Sequence, residues 1–121
     1  MEYKKYGQVW VLRLDAGEEV LAALGDLARR EDIAFATVQG IGAAGRLQAG
    51  ALNPTDKQYY AVEAEGMIEI ANLSGNITRK DGEPYLHIHI TAADPCEGRV
   101  IAGHLSQAII SVTAEIFVTE V

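Results

Sequence analysis

The sequence contains one cysteine, Cys96, and no long apolar run. A lone cysteine cannot form a disulfide within the chain, and sparse cysteine is typical of a reducing compartment. No stretch approaches the ~20 apolar residues of a membrane span. The start of the chain also lacks the apolar core of a signal peptide. We therefore expect a cytoplasmic protein that does not enter the membrane.

Positive charge is also scarce. Ten Lys and Arg residues stand against 17 Asp and Glu residues, which gives a formal net charge of −7 and a pI of about 4.8. The longest basic runs are the pairs Lys4-Lys5 and Arg29-Arg30. Proteins bind duplex DNA largely by neutralising phosphates with Lys and Arg. Direct nucleic-acid binding is therefore disfavoured.

What the sequence does contain is enough apolar material for one domain. It has 121 residues, of which 49% are hydrophobic, so we expect a single domain over residues 1–121 with its own core. Alternating or continuous apolar patterns predict about eight strands. They cover residues 8–14, 33–39, 46–52, 59–63, 67–78, 85–91, 99–102 and 109–118.

One helix is predicted between the first two of these strands. Val20, Leu21, Leu24 and Leu27 recur at helical spacing, and the helix should run to about Arg30. Asp15 is the expected N-cap, with Glu18 three residues later as in a capping box. Many strands and one helix predict an α+β fold: a compact domain with a twisted, largely antiparallel sheet and the helix packed on it.

A glycine-rich segment, Gly40–Gly45, matches the spacing G-x-G-x-x-G of a dinucleotide-binding loop. That motif needs a helix directly after it, whereas residues 46–52 alternate as a strand. The glycines are therefore expected to mark a tight bend or a bulge instead.

The three histidines of the chain are the strongest functional signal. His87 and His89 alternate with Leu86, Ile88 and Ile90, so they share one face of a predicted strand, roughly 6–7 Å apart. The third histidine, His104, follows far enough along the chain for a turn and a return strand. Three neutral imidazoles and one open position form a set of ligands that zinc uses in catalytic sites.

This spacing does not identify the metal, since three-histidine sites also suit other divalent first-row ions. Histidines on a strand can also simply face solvent or be satisfied within a core. Cys96 lies in a predicted turn beside Pro95 and is not an expected ligand.

The chain resembles the stand-alone prokaryotic form of the plants and prokaryotes conserved (PPC) domain. The segments that carry the resemblance follow the family order along nearly the whole chain. They are residues 13–20, 40–43, 66–70, 73–77, 81–89, 103–105 and 114–116.

The resemblance implies a compact antiparallel sheet with helices against it, assembly as a homotrimer, and metal binding at the histidine triplet. Plant relatives join this domain to AT-hook segments that bind DNA, and no Arg-Gly-Arg-Pro sequence of that kind occurs here. In those relatives the segment matching residues 66–71 contacts partner proteins. The fold and the triplet also resemble, remotely, those of acetolactate decarboxylase, a zinc enzyme.

Three functions remain open on these observations. The first is a metal-dependent lyase or hydrolase acting on a small molecule at the histidines, with Glu69, Asn76 and Glu115 as candidate catalytic residues. These three side chains are equally consistent with solvent-facing or interface positions. The second is a binding or assembly module whose metal is structural or vestigial. The third is a candidate DNA-binding transcriptional regulator that acts through partner proteins.

Overall fold

The computed structural model describes residues 1–121 and contains six strands and one helix. The strands are β1 (Glu2–Tyr6), β2 (Val9–Asp15), β3 (Ala36–Leu52), β4 (Tyr59–Lys80), β5 (Glu83–Asp94) and β6 (Arg99–Glu120), and the helix is α1 (Val20–Arg30). All strand pairs are antiparallel, in the order β1-β2-β6-β3-β4-β5. This confirms the predicted antiparallel sheet with one helix.

The predicted number of about eight strands is wrong. Three pairs of predicted strands are each one long strand: β3, β4 and β6 run through the segments that had been expected to separate them. β1 is a further strand, close to the start of the chain, that was not among those predicted. The long strands bend at register shifts, as between Gly40 and Gly42 of β3, because an extra residue in one strand kinks the ladder without ending it.

The glycine-rich segment lies inside β3, and no helix follows it. A Cβ atom at Gly42 would lie 2.7 Å from the carbonyl oxygen of Thr113 on β6. Glycine is therefore needed here for close approach between two strands. The predicted bend or bulge is confirmed by the register shift between Gly40 and Gly42.

The sheet closes on itself at one end. β6 pairs with β3 and also with β5, so β3, β4, β5 and β6 form a closed ring of strands. The core is a cluster of 28 buried residues made almost entirely of Leu, Ile, Val and Ala. The helix covers part of it with Val20, Leu24, Leu27 and Ala28. No helix reaches the length of a membrane span, since α1 has only 11 residues.

The predicted N-cap of the helix is wrong by four residues. Glu19 caps α1, with its carboxylate accepting hydrogen bonds from the backbone N–H groups of Leu21 and Ala22. Gly17 has a φ of +91°, which a right-handed helix cannot accommodate. The predicted contact between Glu18 and the N–H of Asp15 does form, at 2.7 Å, but in a turn that precedes the helix.

Candidate metal centre

The three histidines converge on one exposed patch of the sheet. Ile88 and Ile90 of β5 are buried, so His87 and His89, which alternate with them along the strand, face outward. On β6, His104 is paired directly with His89. The imidazole ring centroids are 5.1 Å apart for His87 and His89, 5.3 Å for His87 and His104, and 5.8 Å for His89 and His104.

The donor atoms of this cluster fit one metal ion. Nitrogen atoms from the three imidazoles lie within 4.8 Å of one another. Two nitrogens that each bind one zinc ion at about 2.0–2.1 Å are at most about 4.2 Å apart. Small side-chain rotations therefore suffice to bring the three nitrogens onto one ion. No Cys, Asp or Glu joins the group, so it offers three ligands from this chain.

The electrostatics of the cluster favour the neutral form of His104. Burial lowers the pKa of His104, and the nearby His87 and His89 lower it further. Metal ligation requires deprotonated imidazole nitrogen. His104 is thus held in the protonation state that a metal needs.

Two glycines bring the strands together at the cluster. Gly103 has a φ of +145°, and a Cβ atom there would lie 2.5 Å from the carbonyl oxygen of Gly50 on β3. A Cβ atom at Gly75 on β4 would collide with the carbonyl oxygen of His87. The sequence offers a signal for both positions, since isolated glycines in strand patterns mark close backbone approach, but neither position was predicted from it.

A tyrosine supports His104 and was missed by the sequence analysis. Tyr59 at the start of β4 donates a hydrogen bond from its hydroxyl to the carbonyl oxygen of His104 at 3.2 Å, and the same hydroxyl lies 2.9 Å from Ser106 Oγ. Its ring meets the His104 imidazole edge-on, with centroids 6.1 Å apart. His104 and Ser106 lie 45 and 47 residues after Tyr59 in the sequence, so no local pattern could have linked them to it.

Of the three candidate catalytic residues, the structure places one beside the histidines. Asn76 on β4 is paired directly with His87 and is exposed on the same face. Directly paired residues of an antiparallel sheet have Cβ atoms about 4.5–5.5 Å apart. Ser74, which the sequence analysis did not select, is paired in the same way with His89.

The other two candidates lie elsewhere. Glu69 is paired with Ala93, four residues along β5 from His89, which corresponds to about 13 Å. Glu115 is paired with Ile41 on β3. Glu69 and Glu115 line one groove of about 430 Å³ outside the histidine cluster. Cys96 is exposed in the turn between β5 and β6 and is not part of the cluster.

Comparison with known proteins gives a match over the whole chain. The family model of the Plants and Prokaryotes Conserved (PCC) domain matches residues 1–121. No curated protein matches the sequence.

Three solved structures are similar to this chain in both fold and sequence. A candidate DNA-binding protein from Bacteroides thetaiotaomicron is 33% identical with a TM-score of 0.93, covering 98% of this chain and 82% of its own. A plant- and prokaryote-conserved protein from Pyrococcus horikoshii is 32% identical with a TM-score of 0.86, covering 98% and 81%. A metal-containing protein from Archaeoglobus fulgidus is 30% identical with a TM-score of 0.87, covering 99% and 84%.

The predicted likeness to acetolactate decarboxylase is confirmed at the level of the fold. The enzyme from Bacillus subtilis has a TM-score of 0.65 at 14% identity, and the match covers 92% of this chain and 52% of that one.

Proposed function

The chain belongs to the Plants and Prokaryotes Conserved domain family, and we propose that it binds one divalent transition-metal ion, in the first place zinc, through His87, His89 and His104. The observation that carries this proposal is the convergence of three imidazole nitrogens within 4.8 Å. The metal-containing relative from Archaeoglobus fulgidus supports it.

We propose further that the centre acts on a small molecule, as a lyase or hydrolase. A bound divalent metal would supply Lewis acidity, by which it polarises a carbonyl group or lowers the pKa of water. A structural zinc site has four protein ligands, whereas this chain brings three side chains together. The three-ligand set favours a catalytic centre over a structural one.

Metal analysis of untagged protein tests the proposal. We expect about one zinc, or one competing divalent ion, per wild-type chain, and close to none in the His87→Ala/His89→Ala variant. The matched control is the Cys96→Ala variant, which removes a potential metal-binding side chain outside the cluster and should leave the stoichiometry unchanged. A wild-type stoichiometry near zero in chelator-free buffer containing added zinc would contradict the proposal.

We also propose that the protein assembles as a homotrimer. One support is the family resemblance, which implies assembly as a homotrimer. The other is a pair of exposed apolar side chains: Ile41 and Phe117 are 56% and 48% exposed, and their strands β3 and β6 are neighbours in the sheet. Burial of such side chains favours association. Light scattering should give three times the chain mass, and a monomer at micromolar concentration would contradict this.

The alternative function is a regulator or an assembly module. The relative from Bacteroides thetaiotaomicron, described as a candidate DNA-binding protein, favours the regulator. The net charge of −7 opposes direct contact with DNA, so this function would need a partner protein with a basic surface.

A further inference from the structure

The sheet carries a continuous strip of uncharged polar side chains next to the histidine cluster. One row of directly paired residues runs from Gln39 on β3 through Ser74 on β4 to His89 on β5. A second row runs from Thr37 through Asn76 to His87. We call Thr37, Gln39, Ser74 and Asn76 the polar strip.

All members of the polar strip are on the face of the histidines, because directly paired residues project to the same side of a sheet. Thr37, Gln39 and Asn76 are exposed, and Ser74 is half-buried. None of the four side chains takes part in a side-chain hydrogen bond within the chain. Their donors and acceptors are therefore available to a ligand within one chain. Gln39 is also paired directly with Phe117, so the strip borders the apolar side chains proposed for the trimer interface, and the ligand would lie beside that interface.

The dimensions of the polar strip match those of a small molecule. Neighbouring strands are about 4.7–4.9 Å apart, so Ser74 and Asn76 lie one strand spacing from the β5 histidines. Gln39 and Thr37 lie two spacings away, at about 10 Å. A chain of six carbon atoms held at the histidines would pass over Ser74 and Asn76 and approach the side chains of Gln39 and Thr37.

The chemistry of the polar strip selects a neutral, hydroxyl-rich ligand. Asn and Gln amides each present a carbonyl acceptor and an NH₂ donor, and Ser and Thr hydroxyls both donate and accept. Adjacent hydroxyl groups on a ligand, which also donate and accept, complement this set. Recognition of phosphate instead uses Arg or Lys, and neither residue type occurs in the two rows.

We propose that the polar strip binds the hydroxyl groups of a polyol or open-chain sugar derivative whose end is held at the histidine centre. The inference rests on the proposed metal site and adds the class of ligand. The residues of the strip determine specificity, and the histidines supply the anchor.

Three hydroxamates test this inference on the zinc-loaded protein by titration calorimetry. Acetohydroxamate carries the zinc-binding group alone, gluconohydroxamate adds a chain of hydroxyl groups, and phosphonoacetohydroxamate adds a charged group. We expect gluconohydroxamate to bind about tenfold more tightly than acetohydroxamate. Each of Gln39→Leu, Ser74→Ala and Asn76→Ala should reduce that gain by about 2- to 10-fold, as expected for one lost hydrogen bond.

The matched control is Gln8→Leu, which makes the same change in the turn between β1 and β2 and should leave all affinities unchanged. Equal affinities for acetohydroxamate and gluconohydroxamate would overturn the inference, as would a gain that survives all three substitutions. Tighter binding of phosphonoacetohydroxamate than of gluconohydroxamate would overturn the neutral ligand class. Absence of zinc binding, or of any acetohydroxamate binding to the loaded protein, would instead count against the proposed metal centre.

Discussion

At the scale of the residue, metal binding requires three imidazoles that are neutral at the same time. An ordinary histidine protonates near pH 6.5, and burial followed by the neighbouring His87 and His89 lowers the pKa of His104. The lowered pKa favours the neutral side chain at neutral pH. Protons compete with the metal for the imidazole nitrogens only as the solution becomes acidic.

Zinc affinity should therefore be nearly constant from pH 8 to about 7 and should fall steeply below about 6.5. Competition with a chromophoric chelator whose own pH dependence is known measures this. An affinity that stays constant between pH 7 and 5 would show that the histidines are not the ligands.

Gly103 sets the position of His104, and its replacement by Ala should affect both stability and metal binding. The residue has a φ of +145°, and the added Cβ would meet the Gly50 carbonyl oxygen at 2.5 Å. We expect a loss of more than about 2 kcal/mol in the free energy of unfolding, together with weaker zinc binding. Urea denaturation and chelator competition measure the two effects.

Gly82→Ala is the control for backbone strain alone. Gly82 has a φ of +80°, and an added Cβ there meets nothing within 4 Å. Its cost should be about 1 kcal/mol, with unchanged zinc affinity. If the two variants behaved alike, contact between Gly103 and Gly50 would have no part in forming the site.

The convergence of the histidines could be predicted because it depends on short-range rules. Alternation places His87 and His89 on one face, and a return strand brings His104 beside them. The positions of Tyr59 and Asn76 depend instead on long-range register, such as the pairing of Asn76 with His87. A single-residue change of register moves a side chain to the other face of the sheet, so their places could not be derived from the sequence.

At the scale of the element, Glu19 links the helix to the sheet. Its carboxylate accepts hydrogen bonds from Leu21 and Ala22 at the start of α1, and from the N–H of Ala108 on β6 at 3.1 Å. The helix is thereby fixed to the strand that carries His104.

Glu19→Ala should lower the free energy of unfolding by about 2 kcal/mol, because it removes an N-cap and leaves a part-buried backbone N–H unpaired. Urea denaturation at one fixed protein concentration measures it. The control is Glu83→Ala, which removes only an exposed ion pair with Arg29 and should cost less than about 0.5 kcal/mol. Equal effects would contradict the role given to Glu19.

The elements were predicted well in type and less well in extent. The strand patterns and the helical stripe were sufficient to identify sheet and helix, but the predicted strands ended or began beside the glycines at residues 40–45, 66 and 103. In the structure they are bulges or close contacts inside long strands. The distinction depends on whether a neighbouring strand continues alongside, which local sequence does not encode.

At the scale of the whole molecule, the net negative charge favours the metal-centred function over direct DNA binding. With 17 acidic and 10 basic residues, the surface repels a polyanion, and three copies in a trimer would do so more strongly. Several of the basic side chains are also engaged in ion pairs, among them Lys5, Arg30 and Arg79.

We therefore expect no measurable binding to a duplex of arbitrary sequence at ~150 mM salt. Fluorescence anisotropy over a salt titration measures this. Tight binding that weakens steeply as salt rises would show phosphate neutralisation and would favour the regulatory function.

Anomalous diffraction can show directly whether one metal ion is bound at the three histidines. Crystals grown with one equivalent of zinc, measured on both sides of the zinc absorption edge, should show one strong anomalous peak per chain, about 2.0–2.1 Å from a nitrogen of His87, His89 and His104. We expect that peak and no fourth ligand from the same chain. No peak at the histidines, or a stronger one at another group of side chains, would contradict it.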